Sequence, residues 1–422
     1  MKIKTKKSSF EHVDSLPEYK HLKPKKPNIL FRTVVRVASM PDLIATRFSY
    51  KEIGMERLGK KEPCLYLMNH SSFLDLKIAS KILYPKPYNI VSTLDAFVGK
   101  RWLMHNIGCT PTTKFVTDVN LVRNMVHILR KQKTSVLMYP EAGYSFDGTS
   151  TLLPDSLGQC LKLLKVPVVM IRTYGAFARD PLYNGLRLRK VKVTATVEYL
   201  FSPDEIAKMS VEELNSAIRE QFSFDGFRWQ QENKVRIQEN FRAEGLSRVL
   251  YKCPACGAEG EMKAHGVSIE CGACGKSYTL DEYGHLSADE GETEFSHVPD
   301  WFRWQRECVR REIEDGMYRF DLECDIYMLV DSRALYSVGD GRIVHNSDGF
   351  RLTGCDGKLD YSQRPTASYS LNADYFWYEI GDMISIGTQK KQFCCFPKGK
   401  SGTVTKMRLA TEELYKIATE KK

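Results

Sequence analysis

The stretch Cys64-Leu-Tyr-Leu-Met-Asn-His-Ser-Ser-Phe-Leu-Asp75 decides the fold of the first half of this chain. Residues 64–68 form a short apolar run of strand length, broken by Asn69-His70 before an amphipathic run over 71–83. A strand that feeds a loop and then a helix is the unit of an α/β layered domain. The same stretch carries chemistry. His70 stands five residues before Asp75. At about 100° per residue, two such positions on one helix point roughly 140° apart. The pair can meet only if His70 lies in the loop and Asp75 faces back from the first helical turn. Neutral His70 would then take the proton of an attacking hydroxyl, while Asp75 fixes its tautomer and stabilises the imidazolium. Ser72-x-x-Asp75 also fits a capping box, in which the carboxylate reaches back to an orphan amide.

Outward from this stretch, strand-like and helix-like runs alternate. The strand-like runs are 64–68, 88–93, 135–139, 166–171 and 191–199, and the helix-like runs are 71–83, 95–105, 119–132 and 156–165. Such alternation predicts an α/β domain with a mainly parallel sheet over 61–247. Its last part, 210–247, reads as helical, charged and peripheral. His70 and Glu141 each follow directly on a strand-like run. Ligands of open α/β sheets gather beyond the carboxyl ends of the strands, so topology alone brings the two together.

Four blocks in order resemble the glycerophospholipid acyltransferases, of the type that acylate 1-acyl-glycerol-3-phosphate. Asn69-His-Ser-Ser-Phe-Leu-Asp75 is similar to that family's N-H-x4-D block. Gly108-Cys-Thr-Pro-Thr-Thr-Lys114 sits where the family has a Gly-rich turn ending in a phosphate-binding Arg. Tyr139-Pro-Glu-Ala-Gly-Tyr-Ser145 resembles its F-P-E-G-T-R-S block, and Val166-Pro-Val-Val169 its apolar V-P-V strand. The resemblance covers residues 60 to 200. It departs at two places: Lys114 replaces the Arg, and Ala142-Gly143-Tyr144 replaces Gly-Thr-Arg, so the cation of the third block is missing. Arg172 and Arg123 are candidates to substitute for it.

The resemblance implies acyl transfer from acyl-carrier protein or coenzyme A to the free hydroxyl of a lysophospholipid, with 1-acyl-glycerol-3-phosphate the leading acceptor. His70 is then the general base and Asp75 its orienter. Lys114 becomes the candidate for the acceptor phosphate, a point charge in place of a bidentate fork, with Glu141 and Ser145 shaping the acceptor pocket. Another lysolipid or a glycolipid acceptor, or a non-catalytic lipid-binding scaffold, are the alternatives.

Composition sets the frame. With 422 residues the chain has room for two to three domains, and 42% hydrophobic with 27% charged residues is ordinary for a soluble protein. No run of 18 uncharged apolar residues occurs, so no membrane-spanning helix is expected. The Lys-rich start lacks an apolar region, which argues against a secretory signal. Eight of the twelve cysteines are scattered, as in a reducing cytosol. The net charge is +10, and residues 1–60 alone carry fourteen Lys or Arg against six acids. Residues 1–27 read as an irregular basic arm, and 28–50 as a basic amphipathic segment suited to an anionic membrane surface. These features predict a cytoplasmic protein, peripheral on the cytosolic membrane face.

The other four cysteines are clustered. Cys253-Pro-Ala-Cys256 and Cys271-Gly-Ala-Cys274 are separated by fourteen residues. Two such knuckles predict a closed four-thiolate structural zinc site in a ribbon over 248–280. Basic and aromatic residues are sparse around it, so no nucleic-acid partner is expected. Residues 281–319 read as an acidic linker and a short aromatic-rich helix. From 320 to 422 the chain is β-rich, with strand-like runs including 403–408, and closes with a helix from Thr411. That order faintly resembles a pleckstrin-homology-like domain.

Overall fold

The computed structural model describes residues 2–17, 23–116 and 118–420. These form two compact units: Lys20–Asp180 with Leu188–Trp229, and Met1–Tyr19 with Pro181–Arg187 and Gln230–Lys422.

The first unit is built on a seven-stranded sheet. Its order is Ser49–Ile53, Thr194–Phe201, Val168–Tyr174, Leu65–Met68, Ser135–Met138, Tyr88–Thr93 and Cys109–Thr112. The last five strands run parallel to one another. Thr194–Phe201 pairs antiparallel with Val168–Tyr174, and Ser49–Ile53 pairs parallel with Thr194–Phe201. The sheet is therefore mixed, with its first two strands reversed. Ser49–Ile53 belongs to the sheet although it falls before residue 61, the expected start of the domain. Cys109–Thr112, expected as part of a turn, is the edge strand.

Strand pleating sorts the core. Cys64, Tyr66 and Met68 point into one apolar layer with Leu74, Ile78 and Leu83, while Leu65 and Leu67 point into the opposite layer with Met125, Ile128 and Leu161. A strand apolar on both faces is what a sheet covered by helices on both sides requires. Each of these fully buried side chains contributes about 1.5–3 kcal/mol of transfer free energy. On the first face lies the helix Ile29–Ala45, whose N-cap Asn28 accepts the Leu30 amide. Its outward side leaves Ile29, Leu30, Val34, Val37 and Ile44 exposed. No helix among the described residues is long and apolar enough to cross a membrane.

The second unit holds a four-stranded antiparallel ribbon sheet and an eight-stranded sheet. Several expectations are corrected here. Residues 1–27 are not wholly irregular: Thr5–Lys7 is a strand parallel to Leu335–Asn346, and Phe10–Asp14 a helix capped by Ser9. The ribbon continues past 280, since Leu286–Ala288 pairs with Ser277–Leu280 inside the segment expected as linker. Within 210–247 only Val211–Phe222 and Gly226–Glu232 are α-helical.

The largest correction is at the carboxyl end. Residues 403–408, expected as a strand, begin the helix Thr403–Glu420, so Thr411 lies inside it and does not cap it. Lys406 and Arg408 alternate with Thr405, Met407 and Leu409, which imitates a half-buried strand, but here both sides of the helix are covered. Its buried charges are paired: Glu412 with Arg306 and Arg408, and Lys406 with Glu259 and Glu312. Arg306 comes from the helix Val298–Glu314.

Candidate active site

The five parallel strands end at one edge of the sheet, and three of the four sequence blocks sit there. His70 follows Leu65–Met68, Glu141 follows the neighbouring Ser135–Met138, and Lys114 follows the edge strand Cys109–Thr112.

The helix after His70 begins at Asp75, so residues 71–74 are a turn and the carboxylate faces back over it. His70 Nδ1 lies 3.0 Å from Asp75 Oδ2. The same oxygen accepts the amides of Ser71 at 2.8 Å and Ser72 at 3.1 Å. Capping and histidine orientation, alternatives in the sequence, are thus performed by one oxygen together. A carboxylate can only accept, so the Nδ1 proton is donated to it and Nε2 keeps its lone pair. The Asp75 side chain is 1% exposed and that of His70 24%, which leaves only the imidazole open to a reactant. Asp75 Oδ1 is buried and has no hydrogen-bond partner among the described residues.

The loop is held from both sides. Asn69 Oδ1 accepts the Thr173 amide at 2.8 Å and its Nδ2 donates back to the Thr173 carbonyl at 3.3 Å, tying the loop to the strand Val168–Tyr174. Glu141, almost fully buried, accepts the His70 amide on Oε2 at 2.8 Å and the Thr151 amide on Oε1 at 3.0 Å. The third block therefore grips the first through backbone. Ser145 accepts the Gly148 amide at 2.9 Å and contacts Asp147, so its hydroxyl closes its own turn. Lys114 is half-buried, and its ammonium has no hydrogen bond or ion pair among the described residues. Arg172 is engaged by the carbonyl and side chain of Gln221, and Arg123 is exposed.

Two aromatic residues escaped the sequence reading. The His70 ring lies 4.4 Å from that of Tyr139 and 4.2 Å from that of Tyr144. Both belong to the third block, which was the available signal. Tyr144 occupies the position of the family's Arg. Burial holds the Tyr139 phenol well above its usual range, and its hydroxyl has no partner among the described residues.

In the second unit, Cys253, Cys256, Cys271 and Cys274 place their sulfurs within 4.8 Å of one another. Two of the pairs, Cys253–Cys274 and Cys256–Cys271, are 3.8 Å apart. The edge of a tetrahedron with 2.3 Å metal–sulfur bonds is about 3.8 Å, so the four thiols fit a zinc ion. Gly257 and Gly275 close the knuckles at φ +77° and +76°, a conformation that favours glycine. Backbone amides at Cys256 and Ala255 point at the Cys253 sulfur, and that of Lys276 at the Cys274 sulfur.

Residues 50–172 match the acyltransferase family. Among solved structures, the chain is similar to the 1-acyl-sn-glycerophosphate (LPA) acyltransferase PlsC from Thermotoga maritima. That match has 17% identity and a TM-score of 0.39 over 49% of this chain and 80% of the other. No curated protein matches the chain. The matched residues 50–172 carry all four blocks, from Asn69–Asp75 to Val166–Val169, that resemble the glycerophospholipid acyltransferases.

Proposed function

We propose that this chain transfers a fatty acyl group from a thioester, acyl-ACP or acyl-CoA, to the free hydroxyl of a lysophospholipid, with 1-acyl-glycerol-3-phosphate the leading acceptor. The observation that carries this is the His70 Nδ1–Asp75 Oδ2 contact at 3.0 Å, with the carboxylate buried and the imidazole partly exposed. Nε2 takes the proton of the acceptor hydroxyl as its oxygen attacks the thioester carbonyl. The tetrahedral intermediate collapses with cleavage of the C–S bond, and the leaving thiolate recovers the proton from the imidazolium. The thioester is already activated, so no covalent acyl-enzyme is needed.

Lys114 is the proposed contact for the acceptor phosphate. Its strand lies three places from that of His70 in the sheet order, roughly 14 Å at normal strand spacing. Lysine length and a glycerol phosphate together bridge that interval. Tyr144 favours a second reading of the acceptor. A phenol packed at a tilt against His70, where the family carries a cation, suits a lysolipid or glycolipid with less charge near the reacting hydroxyl. Turnover across a panel of lysophosphatidic acid, neutral lysolipids and glycolipids decides between them. Lys114→Ala raising only the acceptor KM of the phosphate-bearing substrate supports the first.

The exposed apolar side of Ile29–Ala45, with Arg32 and Arg36 on the same helix, supports attachment to an anionic cytosolic membrane surface. Trp102, 71% exposed and edge-on to Phe31 at 5.5 Å, extends that surface. For the second unit we infer one structural zinc held by the four cysteines. Four thiolates leave no open coordination position, so the metal stabilises the ribbon and takes no part in the chemistry.

A further inference from the structure

Behind the His70–Asp75 pair stands a second buried carboxylate that no sequence block includes. Asp180 and Ser72 are both almost fully buried, and the Ser72 hydroxyl donates to Asp180 Oδ1 at 2.5 Å. Ser72 Oγ also accepts the Leu74 amide at 2.9 Å, which shapes the turn before the Asp75 helix. The Ser72 backbone amide is itself one of the donors to Asp75 Oδ2. Asp180 is anchored in turn. Its Oδ2 lies 3.3 Å from Arg179 Nη1, and Arg179 Nη2 donates to Asp42 Oδ1 at 2.8 Å on the helix Ile29–Ala45. Asp42 also pairs with Lys77, from the Asp75 helix.

We propose that Asp180 is a positioning residue of the acyl-transfer site, acting through Ser72 to fix the two amides that hold the Asp75 carboxylate against His70. The inference rests on reading His70 and Asp75 as the reacting pair. The geometry has a reason beyond packing. A buried serine hydroxyl that only needed a partner would be served by any carbonyl, and a buried carboxylate is a costly choice unless its charge is used. Burial pushes the Asp180 carboxyl up to about 7, with the Asp75 carboxylate adding to the rise and Ser72, Arg179 and Lys77 opposing it. The ionised form therefore places a second negative charge behind the imidazolium that forms during transfer.

The test uses the full chain and compares Ser72→Ala, Asp180→Asn and His70→Ala for turnover, melting temperature and pH–rate profile. Ser72→Ala and Asp180→Asn are expected to lose about 10- to 100-fold in kcat, the range for groups that orient a functional histidine through a further hydrogen bond. Asp180→Asn should keep its melting temperature at pH 8, because it removes a charge whose ionisation burial opposes. Its acidic limb should move to lower pH, because a negative charge that favours the imidazolium is removed. Wild-type turnover and an unmoved limb in both variants, beside an inactive His70→Ala, overturn the role of Asp180 alone. A loss of turnover that only tracks a lost melting temperature, with no movement of the limb, overturns it equally. An active His70→Ala chain removes the reading on which the inference stands, and the inference with it.

Discussion

Glu141 Oε2 accepts the backbone amide of His70 at 2.8 Å, so the third sequence block sets the position of the first. The other carboxylate oxygen, Oε1, accepts the Thr151 amide at 3.0 Å, and the side chain is almost fully buried. Glu141→Ala leaves two backbone donors without their acceptor, at a cost of about 1–3 kcal/mol for each buried group. Glu141→Gln keeps one acceptor and presents an amide donor to the other N–H. Both variants should melt lower than wild type, and Glu141→Ala should lose turnover with the acceptor KM little changed. A large rise in acceptor KM at unchanged stability would instead make Glu141 a substrate contact.

Ala142 adopts φ +55°, the left-handed conformation, at the place where the family block has glycine. A non-glycine residue there costs about 1–2 kcal/mol in the folded state, while glycine loses up to about 1 kcal/mol through the unfolded chain. Ala142→Gly should therefore be neutral or stabilising by up to about 1 kcal/mol, with activity retained. Denaturant unfolding measures this, and a clear destabilisation contradicts the assignment of strain to this residue.

The ribbon should yield one zinc per chain by elemental analysis of protein purified without chelator. Strong chelation should lower the melting temperature of the second unit, because ligation free energy is folding free energy in such modules. Cys253→Ser should abolish stoichiometric zinc, and acyl transfer should fall only as far as the fold is lost. Metal-free protein with unchanged stability would remove zinc from this account.

Leu30, Val37 and Ile44 are 63%, 60% and 68% exposed on the helix Ile29–Ala45. Leu30→Glu with Val37→Glu should reduce sedimentation with anionic vesicles at least tenfold, since each apolar side chain is worth about 1.5–3 kcal/mol when buried. Turnover of a soluble short-chain acceptor should be kept. The variant is preferable to deleting the first fifty residues, because Thr5–Lys7 pairs with the strand Leu335–Asn346 and its loss would disturb that sheet. Undiminished vesicle binding moves the membrane contact elsewhere.

The site was legible in the sequence where local pattern and chemistry coincide. The apolar run at 64–68 with His70 and Asp75 placed a strand, a loop and a helix start, and the pair met as the spacing required. What escaped depends on contacts distant in the chain. Asp180 reaches Ser72 across more than a hundred residues, and nothing near either marks them as partners. The first part of the helix Thr403–Glu420, before Thr411, was missed for a related reason. Its buried Lys406 is paired with Glu259 and with Glu312 of the helix Val298–Glu314, both distant in the chain. The strand Cys109–Thr112 was masked by Pro111, which an edge strand accommodates and a central one would not.

The central claim is that His70, oriented by Asp75, removes the proton from an acceptor hydroxyl. The measurement closest to it is acyl transfer to lysophosphatidic acid by His70→Ala and Asp75→Asn, with melting temperature recorded on the same samples. His70→Ala should show no enzymatic transfer at a wild-type melting temperature. Asp75→Asn should fall by about 10³–10⁴ in kcat, the scale seen when an orienting carboxylate is neutralised in a triad. Were Asp75 only a capping residue, its variant would lose about 1 kcal/mol of stability and keep its turnover. A folded, active His70→Ala chain would contradict the account at its root.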